Sequence, residues 1–302
     1  MGDIMSSLYK NVAFSGAYTA LITPFKDGKV DQDAFVKLVE WQIEQGIHGL
    51  VPVGTTGESP TLSHEEHDMV IELCVKTVAG RVPVIAGAGS NSTREAVRLA
   101  KNAEAVGADG VLIVSPYYNK PTQDGLLAHF TAVAEAVSVP VIVYDIPGRS
   151  IVSVNDDTMA KLAKVDNIAG VKDATGDAAR PTRLLNGLGD DFAQLSGEDA
   201  TALPYLAAGG HGCISVVSNI APALCAQMHE AFAKGDIAKA QEINRQIMPL
   251  HDGMFTEASP GPVKYAAKLL GICEPDTRLP LVEISSASKA VVEQALAESK
   301  LR

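Results

Sequence analysis

Short apolar runs recur along the chain and alternate with longer stretches in which apolar residues repeat every three to four positions. The longer stretches have the spacing of amphipathic helices, as in Asp33–Gln45 and Arg94–Val106. The short runs have the length and composition of strands, and the pattern predicts eight of them: Ala17–Thr23, Gly49–Val53, Val84–Gly87, Gly110–Val114, Val139–Tyr144, Ile168–Lys172, Phe192–Ser196 and Gly212–Val216. The pattern therefore predicts consecutive units of one strand followed by one helix.

The predicted strands are apolar on both faces, which is typical of a parallel sheet covered by helices. Eight such units predict an α/β fold of the (β/α)8 type, a TIM barrel. A doubly wound sheet is the main alternative, and it normally has a glycine-rich phosphate-binding turn after its first strand. Neither G-x-G-x-x-G nor G-x-x-x-x-G-K-[ST] occurs in the chain, which favours the barrel.

After the eighth strand the pattern contains helices only. The predicted helices are Ala223–Lys234, Ile237–Met254, Pro262–Leu270 and Ser286–Leu301. We therefore predict a flexible N-terminus over residues 1–11, a catalytic barrel over residues 12–235, and a C-terminal helical domain over residues 236–302 that packs on the barrel.

Composition and charge exclude several classes of partner. A formal net charge of −11 without a visible basic face argues against nucleic acid or an anionic membrane. No apolar stretch approaches the ~18 residues that span a bilayer, and the N-terminus lacks the apolar core of a signal peptide. The four cysteines are scattered without a C-x-x-C pair, which favours reduced structural thiols in a cytoplasmic protein: Cys74, Cys213, Cys225 and Cys273.

Lys172 follows the apolar run Ile168–Val171 and precedes a turn that contains glycine. A cation in such a position is costly to bury unless it is paired or neutralised, and a neutral lysine amine is a nucleophile toward carbonyls. Lys172 is therefore a candidate for forming a Schiff base. The segment alone is equally compatible with a lysine that extends to the rim and pairs with Asp173.

The carboxyl ends of barrel strands form the active site in folds of this type, and polar residues follow five of the predicted strands. They are Gly54–Ser59 after strand two, Ser115–Asn119 after strand four, Tyr144 and Asp145–Arg149 at strand five, Lys172 at strand six, and Ser196–Asp199 after strand seven. Together they fit a pocket for a 2-oxo acid. Hydroxyl and amide groups would hold its carboxylate, Lys172 would attack its ketone, and tyrosines would move protons.

Each of these residues also has a purely structural interpretation. Ser63–Glu66 has the spacing of a capping box, so the glycine-rich loop before it can belong to the start of a helix. A tyrosine at a strand end can serve packing alone, and Arg149 can form a surface ion pair. His64 and His67 lie on one helical face, but H-E-E-H is not the H-E-x-x-H pattern, and we predict no metal site. Convergence of all these groups on one end of the barrel favours the catalytic interpretation.

The chain resembles the dihydrodipicolinate synthase family of pyruvate-dependent class I aldolases, whose superfamily includes N-acetylneuraminate lyase. The resemblance runs from Gly16-Ala-Tyr-Thr-Ala-Leu-Ile-Thr-Pro24 to Pro260-Gly-Pro-Val-Lys264. The motifs that carry it are Gly-Thr-Thr-Gly-Glu-Ser, Ser-Pro-Tyr-Tyr-Asn-Lys-Pro, Tyr-Asp-Ile-Pro-Gly-Arg-Ser and Gly-Val-Lys-Asp-Ala-Thr-Gly. It implies a lyase that condenses pyruvate with L-aspartate 4-semialdehyde on the diaminopimelate route to lysine.

The resemblance also implies a role for each site residue. Lys172 would form the imine with pyruvate, so no separate cofactor is expected. The resemblance implies a proton relay of Thr55, Tyr144 and Tyr118, with Tyr118 from a neighbouring subunit. Thr56 would hold the pyruvate carboxylate, and Ile214 would place a backbone carbonyl near the imine. Gly197 would take part in substrate binding, and Arg149 would bind the semialdehyde carboxylate. The implied assembly is a homotetramer built as a dimer of dimers.

A regulatory site for free L-lysine is a further implication of the resemblance. The matching residues are Ser59, His64, His67, Asn91, Glu95 and Tyr117. Three positions depart from the common family pattern. Asp145 replaces an asparagine and is expected to place a negative charge near Arg149, Ser259 replaces an asparagine before Pro260, and Pro60 lies within the lysine site.

Two other functions stay open at this point. Another lyase of the superfamily, for N-acetylneuraminate or a 2-keto-3-deoxy sugar acid, would keep the lysine but would meet its polyol substrate with neutral groups instead of Arg149. A catalytically silent barrel that senses lysine or a 2-oxo acid would not need Lys172 together with both relay tyrosines.

Overall fold

Eight parallel strands form the centre of the protein. The structure, a computed structural model, describes residues 11–302, so the N-terminal segment predicted to be flexible lies outside the described residues except for Asn11. In chain order the strands of residues 11–302 are β1 (Gly16–Ala20), β2 (Phe25–Lys26), β3 (Lys29–Val30), β4 (Gly49–Val51), β5 (Ile85–Gly87), β6 (Gly110–Val114), β7 (Val141–Asp145), β8 (Ile168–Asp173), β9 (Ala193–Ser196) and β10 (Gly212–Ser215). Two of these strands, β2 and β3, lie outside the parallel sheet.

The parallel sheet runs in the order β4, β1, β10, β9, β8, β7, β6, β5. Its two outer strands approach each other where Leu50 of β4 forms a parallel bridge with Val84, directly before β5. This bridge brings the sheet round into a barrel, which confirms the predicted fold. The remaining strands, β2 and β3, form a separate antiparallel hairpin.

Alternate residues of the strands fill the inside of the barrel. Tyr18, Leu112, Ile142, Leu195 and Ile214 are buried in one apolar cluster, and each comes from a different strand. Tyr144 belongs to the same cluster. Because side chains along a strand alternate between two faces, this cluster identifies the inward-facing set of each strand.

Helices cover the outside of the barrel. In chain order they are α1 (Gln32–Glu44), α2 (His64–Val78), α3 (Thr93–Ala105), α4 (Gln123–Ala134), α5 (Pro147–Ser150), α6 (Asp156–Leu162), α7 (Arg180–Leu188), α8 (Ala202–Ala207), α9 (Pro222–Ala233), α10 (Ile237–Gly253), α11 (Gly261–Leu269) and α12 (Ser286–Glu298). Their apolar faces and the outward faces of the strands form a second, larger core. In residues 11–302, no helix is both long and apolar enough to cross a membrane.

Local sequence explains where the helices begin. Ser63 accepts a hydrogen bond from Glu66 N, and the Glu66 carboxylate accepts one from Ser63 N, so the predicted capping box starts α2. The C-terminal helices α9 to α12 occupy the stretches where helices were predicted. The division of the chain at residue 236 stays a prediction.

Candidate active site

Lys172 is buried near the carboxyl end of β8. Only 6% of its surface is exposed, and it pairs in register with Tyr144 on β7 and Leu195 on β9. Its Nζ lies 4.2 Å from the centre of the Tyr144 ring. Because both neighbours face the inside of the barrel, the lysine also faces inward. The interpretation of Lys172 as a rim lysine is therefore wrong.

Asp173, the alternative partner of Lys172, is bound elsewhere. Its Oδ1 accepts hydrogen bonds from Thr175 N and Thr175 Oγ1, at 2.9 and 2.7 Å. The same oxygen lies 3.5 Å from Nη1 of Arg180, which is buried at the start of α7. The carboxylate thus belongs to a cluster on the other side of the strand end, which leaves the amine of Lys172 over the tyrosine ring.

Asp145 belongs to that buried cluster as well. Its Oδ2 accepts hydrogen bonds from Arg180 Nη1 at 2.8 Å, Ser153 Oγ at 2.8 Å and Val154 N at 3.1 Å. Burial raises the pKa of Asp145, and Arg180 opposes this effect. The expectation that Asp145 acts on Arg149 is therefore wrong, because Arg180 takes up this carboxylate.

Gly197 lies against the stem of Lys172. Its N donates to Asp173 O at 2.6 Å, and a Cβ at this position would meet Lys172 Cε at 3.2 Å and Ala174 Cβ at 2.8 Å. A side chain here would displace the lysine. We therefore assign Gly197 a packing role beside the amine, and its predicted contact with substrate stays a prediction.

The loop between β4 and α2 carries the two threonines. Thr56 is buried and Thr55 is half-buried. Turn hydrogen bonds join Gly57 N to Gly54 O and Glu58 N to Thr55 O, both at 3.1 Å. Ser63 caps α2, so the hydroxyl and amide groups of the loop are not needed to start this helix. They can therefore bind a ligand.

Arg149 and Tyr118 reach the same end of the barrel from other segments. Arg149 lies on the short helix α5 directly after β7, and it lines a cavity of about 390 Å³. Tyr118, in the loop after β6, is 87% exposed and has a left-handed backbone (φ 74°). Such exposure of an aromatic ring is what a residue shared with a neighbouring subunit requires.

The cavity joins the catalytic loop to the predicted lysine site. Thr55 and Arg149 line one part of it, and five of the six predicted lysine-binding residues line the rest: Ser59, His64, His67, Glu95 and Tyr117. Lys172 and Tyr144 are not part of its lining. Asn91, the sixth residue, donates from Nδ2 to Tyr117 O at 3.2 Å and so adjoins the cavity.

Electrostatics of this cavity suit an amino acid. Hydrogen bonds from Ser90 and His64 lower the pKa of Glu95, and His64 Nε2 lies 2.9 Å from Glu95 Oε1. His67 is buried, and burial lowers its pKa. The cavity therefore offers a carboxylate for an ammonium group and imidazole nitrogens for further hydrogen bonds.

Sequence patterns missed three buried or half-buried charges near the site. Arg180 and Lys264 stand in helices and bind carboxylates that are distant in sequence, so no local pattern marks them. Glu198 was visible in Ser196-Gly-Glu-Asp199 but received no role. Burial and neighbouring Asp199 raise its pKa, and Lys172 and Arg149 oppose this shift, which places Glu198 within electrostatic reach of both.

Ile214 is buried inside the barrel on β10, as its predicted role near the imine requires, although that role stays a prediction. All four cysteines have free thiols, and Cys213 is buried. In residues 11–302, no group of three or more His, Cys, Asp or Glu side chains is arranged to hold a metal ion.

The fold and the buried amine together define a class of protein: a TIM barrel of the class I aldolase type, in which a lysine at a strand end can form an imine with a carbonyl compound. The chain belongs to the Dihydrodipicolinate synthetase family, whose sequence profile matches residues 13–299. The family predicted from the sequence is confirmed.

Relatives with known names and structures agree. The 4-hydroxy-tetrahydrodipicolinate synthase of Rhodospirillum centenum is 58% identical over 288 residues, which cover 95% of this chain and 99% of that protein. The structure of chloride-inhibited dihydrodipicolinate synthase from Acinetobacter baumannii with pyruvate is 44% identical, covers 95% of this chain and 99% of that one, and gives a TM-score of 0.93. The structure of lysine-bound dihydrodipicolinate synthase from Cyanidioschyzon merolae is 39% identical, covers 96% of this chain and 100% of that one, and also gives a TM-score of 0.93. The predicted synthase function is confirmed.

Proposed function

We propose that Lys172 forms an imine with pyruvate and that this intermediate condenses with L-aspartate 4-semialdehyde, in a lyase of the diaminopimelate route to lysine. The amine attacks the ketone carbon, and loss of water leaves the imine. Removal of a methyl proton gives an enamine, whose carbon forms a new bond to the aldehyde carbon. The amino group of the semialdehyde then displaces Lys172 and closes the ring. The observation that carries this proposal is the buried position of Lys172 beside Tyr144.

Proton transfer is assigned to Tyr144, Thr55 and the Tyr118 of a neighbouring subunit. The nearness of the Lys172 Nζ to the Tyr144 ring, 4.2 Å from its centre, supports this assignment. The imine nitrogen on Lys172 accepts the electron pair when the methyl proton leaves, and it returns that pair when the enamine carbon attacks the aldehyde, so the proposal requires no cofactor.

Arg149 is assigned the carboxylate of the semialdehyde. Arg149 is one of the residues that line the cavity, and a guanidinium can bind a carboxylate through two hydrogen bonds. A sugar acid lyase acts on a polyol substrate, which neutral hydrogen-bonding side chains would bind better than an arginine would. Arg149 therefore distinguishes the proposed synthase from the other lyases of the superfamily.

Replacing Arg149 with alanine is expected to raise KM for the semialdehyde about 10- to 100-fold, because a charged hydrogen bond is lost. KM for pyruvate should change far less. The measurement is pyruvate-dependent consumption of L-aspartate 4-semialdehyde, coupled to the NAD(P)H-dependent reductase that consumes the product.

Arg183→Ala is the matched control for this prediction. Arg183 pairs with Asp156 and Asp177 on the surface and lines no part of the cavity. Its removal should leave both KM values unchanged. Equal increases in the two KM values for Arg149→Ala would contradict the assignment, and turnover with sugar-derived aldehydes instead of the semialdehyde would favour a sugar acid lyase.

Free lysine is assigned to the part of the cavity around Glu95, where it would act as a feedback inhibitor. Glu95→Gln is expected to raise the lysine concentration that gives half-maximal inhibition about tenfold or more, since the ammonium group loses its charged partner. Inhibition curves at fixed pyruvate test this. If Glu95→Gln changes the lysine concentration for half-maximal inhibition by no larger a factor than it changes kcat without lysine, the result would count against a lysine site here.

A shared active site implies at least a dimer, and we assign the protein to a homotetramer built as a dimer of dimers. The exposed Tyr118 supports this assembly. A cytoplasmic location is assigned on the basis of four free thiols. Sedimentation velocity tests the assembly, and a monomer with full activity would contradict the shared site.

A further inference from the structure

The loop that carries Thr55 and Thr56 is held in an unfavourable backbone conformation at both ends. The loop comprises Val53–Ser59; Val53, at its start, has φ 48°, and Glu58, near its end, has φ 57°. Left-handed backbone is a genuine outlier for a β-branched residue such as valine, and it persists only where the surroundings enforce it. Some other part of the protein must therefore hold this loop.

The carboxylate of Glu58 supplies that attachment. Glu58 is buried, and its Oε1 lies 2.5 Å from Nζ of Lys264, which is buried on α11. Its Oε2 accepts a hydrogen bond from Arg278 N at 3.1 Å. Both partners come from the C-terminal segment, more than 200 residues later in the chain.

Lys264 is itself fixed in place. Its Nζ donates to Asp276 O at 2.7 Å and lies 4.1 Å from the centre of the Phe25 ring. The lysine therefore has a carboxylate, a carbonyl and an aromatic face as partners, which compensate for the cost of burying its charge. A fixed ammonium defines one position for the Glu58 carboxylate.

Backbone hydrogen bonds transmit that position to the threonines. Glu58 N donates to Thr55 O at 3.1 Å, and Ser59 N donates to Gly54 O at 3.4 Å. Gly57 is packed tightly, because a Cβ there would lie 2.9 Å from Val53 Cα. A shift of Glu58 must therefore move Thr55 and Thr56 with it.

We propose that Lys264 is a positioning residue, which holds the Glu58 carboxylate so that the Val53–Ser59 loop presents Thr56 to the pyruvate carboxylate and Thr55 to the proton relay. The inference rests on the proposed function, since it assumes these roles for the two threonines. It assigns the C-terminal helices a part in substrate binding through Lys264. A displacement of about 1 Å in a positioned group can cost on the order of 100-fold in rate.

Lys264→Met keeps an unbranched side chain of similar length and removes its charge. We expect KM for pyruvate to rise about tenfold or more, with a smaller change in KM for the semialdehyde. The lone Glu58 carboxylate is also expected to lower the melting temperature. The double variant Glu58→Gln/Lys264→Met removes both charges, so it should recover the melting temperature but keep the raised KM for pyruvate.

Val292→Ala is the matched control for loss of stability. Val292 is fully buried on α12 and lies outside the loop and its partners, so its truncation should lower the melting temperature and leave KM for pyruvate unchanged. Borohydride trapping of pyruvate on the wild type is measured alongside, because it tests the imine independently of the loop.

The outcomes distinguish failure of the positioning role of Lys264 from failure of the proposed imine chemistry. A double variant with recovered stability and a raised KM for pyruvate supports the positioning role. Wild-type KM in the folded double variant overturns it and leaves a purely structural ion pair. If the wild type traps no pyruvate, the proposed function fails instead, and the positioning role falls with it.

Discussion

Replacing Lys172 with alanine is expected to lower kcat for condensation on the order of 10⁴-fold or more, as is typical when a covalent nucleophile is removed. The loss is this large because every later step needs the imine: the methyl proton becomes acidic only when the imine nitrogen can accept electrons. We expect the variant to fold, because within residues 11–302 Lys172 has no salt-bridge partner that its loss would leave unpaired, and its amine lies over the Tyr144 ring. Coupled turnover at saturating pyruvate gives the measurement.

Lys161→Ala serves as the control for Lys172→Ala. Lys161 is exposed on α6 and lies outside the site. We expect it to retain wild-type kcat and both KM values. Residual turnover of Lys172→Ala within about tenfold of the wild type would mean that another group forms the imine, or that the reaction does not use one.

Replacing Arg180 with methionine is expected to lower the free energy of unfolding by about 3–5 kcal/mol, the usual effect of leaving buried charges without their partner. Arg180 is the cation that both Asp145 and Asp173 approach, at 2.8 and 3.5 Å. Removing it leaves two buried carboxylates at adjacent strand ends. Denaturant unfolding of the variant and the wild type at pH 7 measures the loss.

The loss in Arg180→Met should depend on pH. Burial already raises the pKa of Asp145, and without Arg180 that pKa rises further in the folded state. A carboxyl whose folded pKa exceeds its unfolded pKa of about 3.9 contributes stability below that value, and the contribution is lost as pH rises through the folded pKa. The deficit relative to the wild type should therefore be smaller at pH 5 than at pH 8.

Asp145→Asn distinguishes this explanation from lost packing. Added to Arg180→Met, it removes one of the two carboxylates left unpaired and should recover part of the lost stability. In the wild-type background, Asp145→Asn should lower the free energy of unfolding by less than Arg180→Met does, because Arg180 keeps Asp173 and Asp156 as partners. No recovery in the double variant, together with a deficit independent of pH, would mean that packing of the arginine side chain dominates.

The sequence was sufficient for the fold because each strand of the barrel is a continuous apolar run bounded by polar residues. Gly110–Val114 was predicted with the bounds that the structure has. The end of β7 was predicted at Tyr144, whereas the strand continues to Asp145. The extra residue is a buried carboxylate, which no hydrophobic pattern can include, and the hairpin of β2 and β3 was missed because its strands have only two residues each.

The positions of site residues could be predicted where they lie in short motifs at strand ends, as for Lys172 and Thr55, and the roles of both residues stay predictions. Contacts with partners remote in sequence could not be predicted. Arg180 binds Asp145 across 35 positions, and Lys264 binds Glu58 across 206. The erroneous expectation for Asp145 arose for the same reason, since Arg149 was the nearest cation in sequence and Arg180 proved the nearest in space.

Borohydride reduction in the presence of pyruvate, followed by mass spectrometry of the peptides, tests the proposed mechanism most directly. Reduction converts an imine into a stable amine, so the pyruvate adduct stays on the residue that formed it. We predict a single adduct on the peptide that contains Lys172, and none in Lys172→Ala. An adduct that persists in Lys172→Ala, or no adduct in an active wild-type enzyme, would contradict the mechanism.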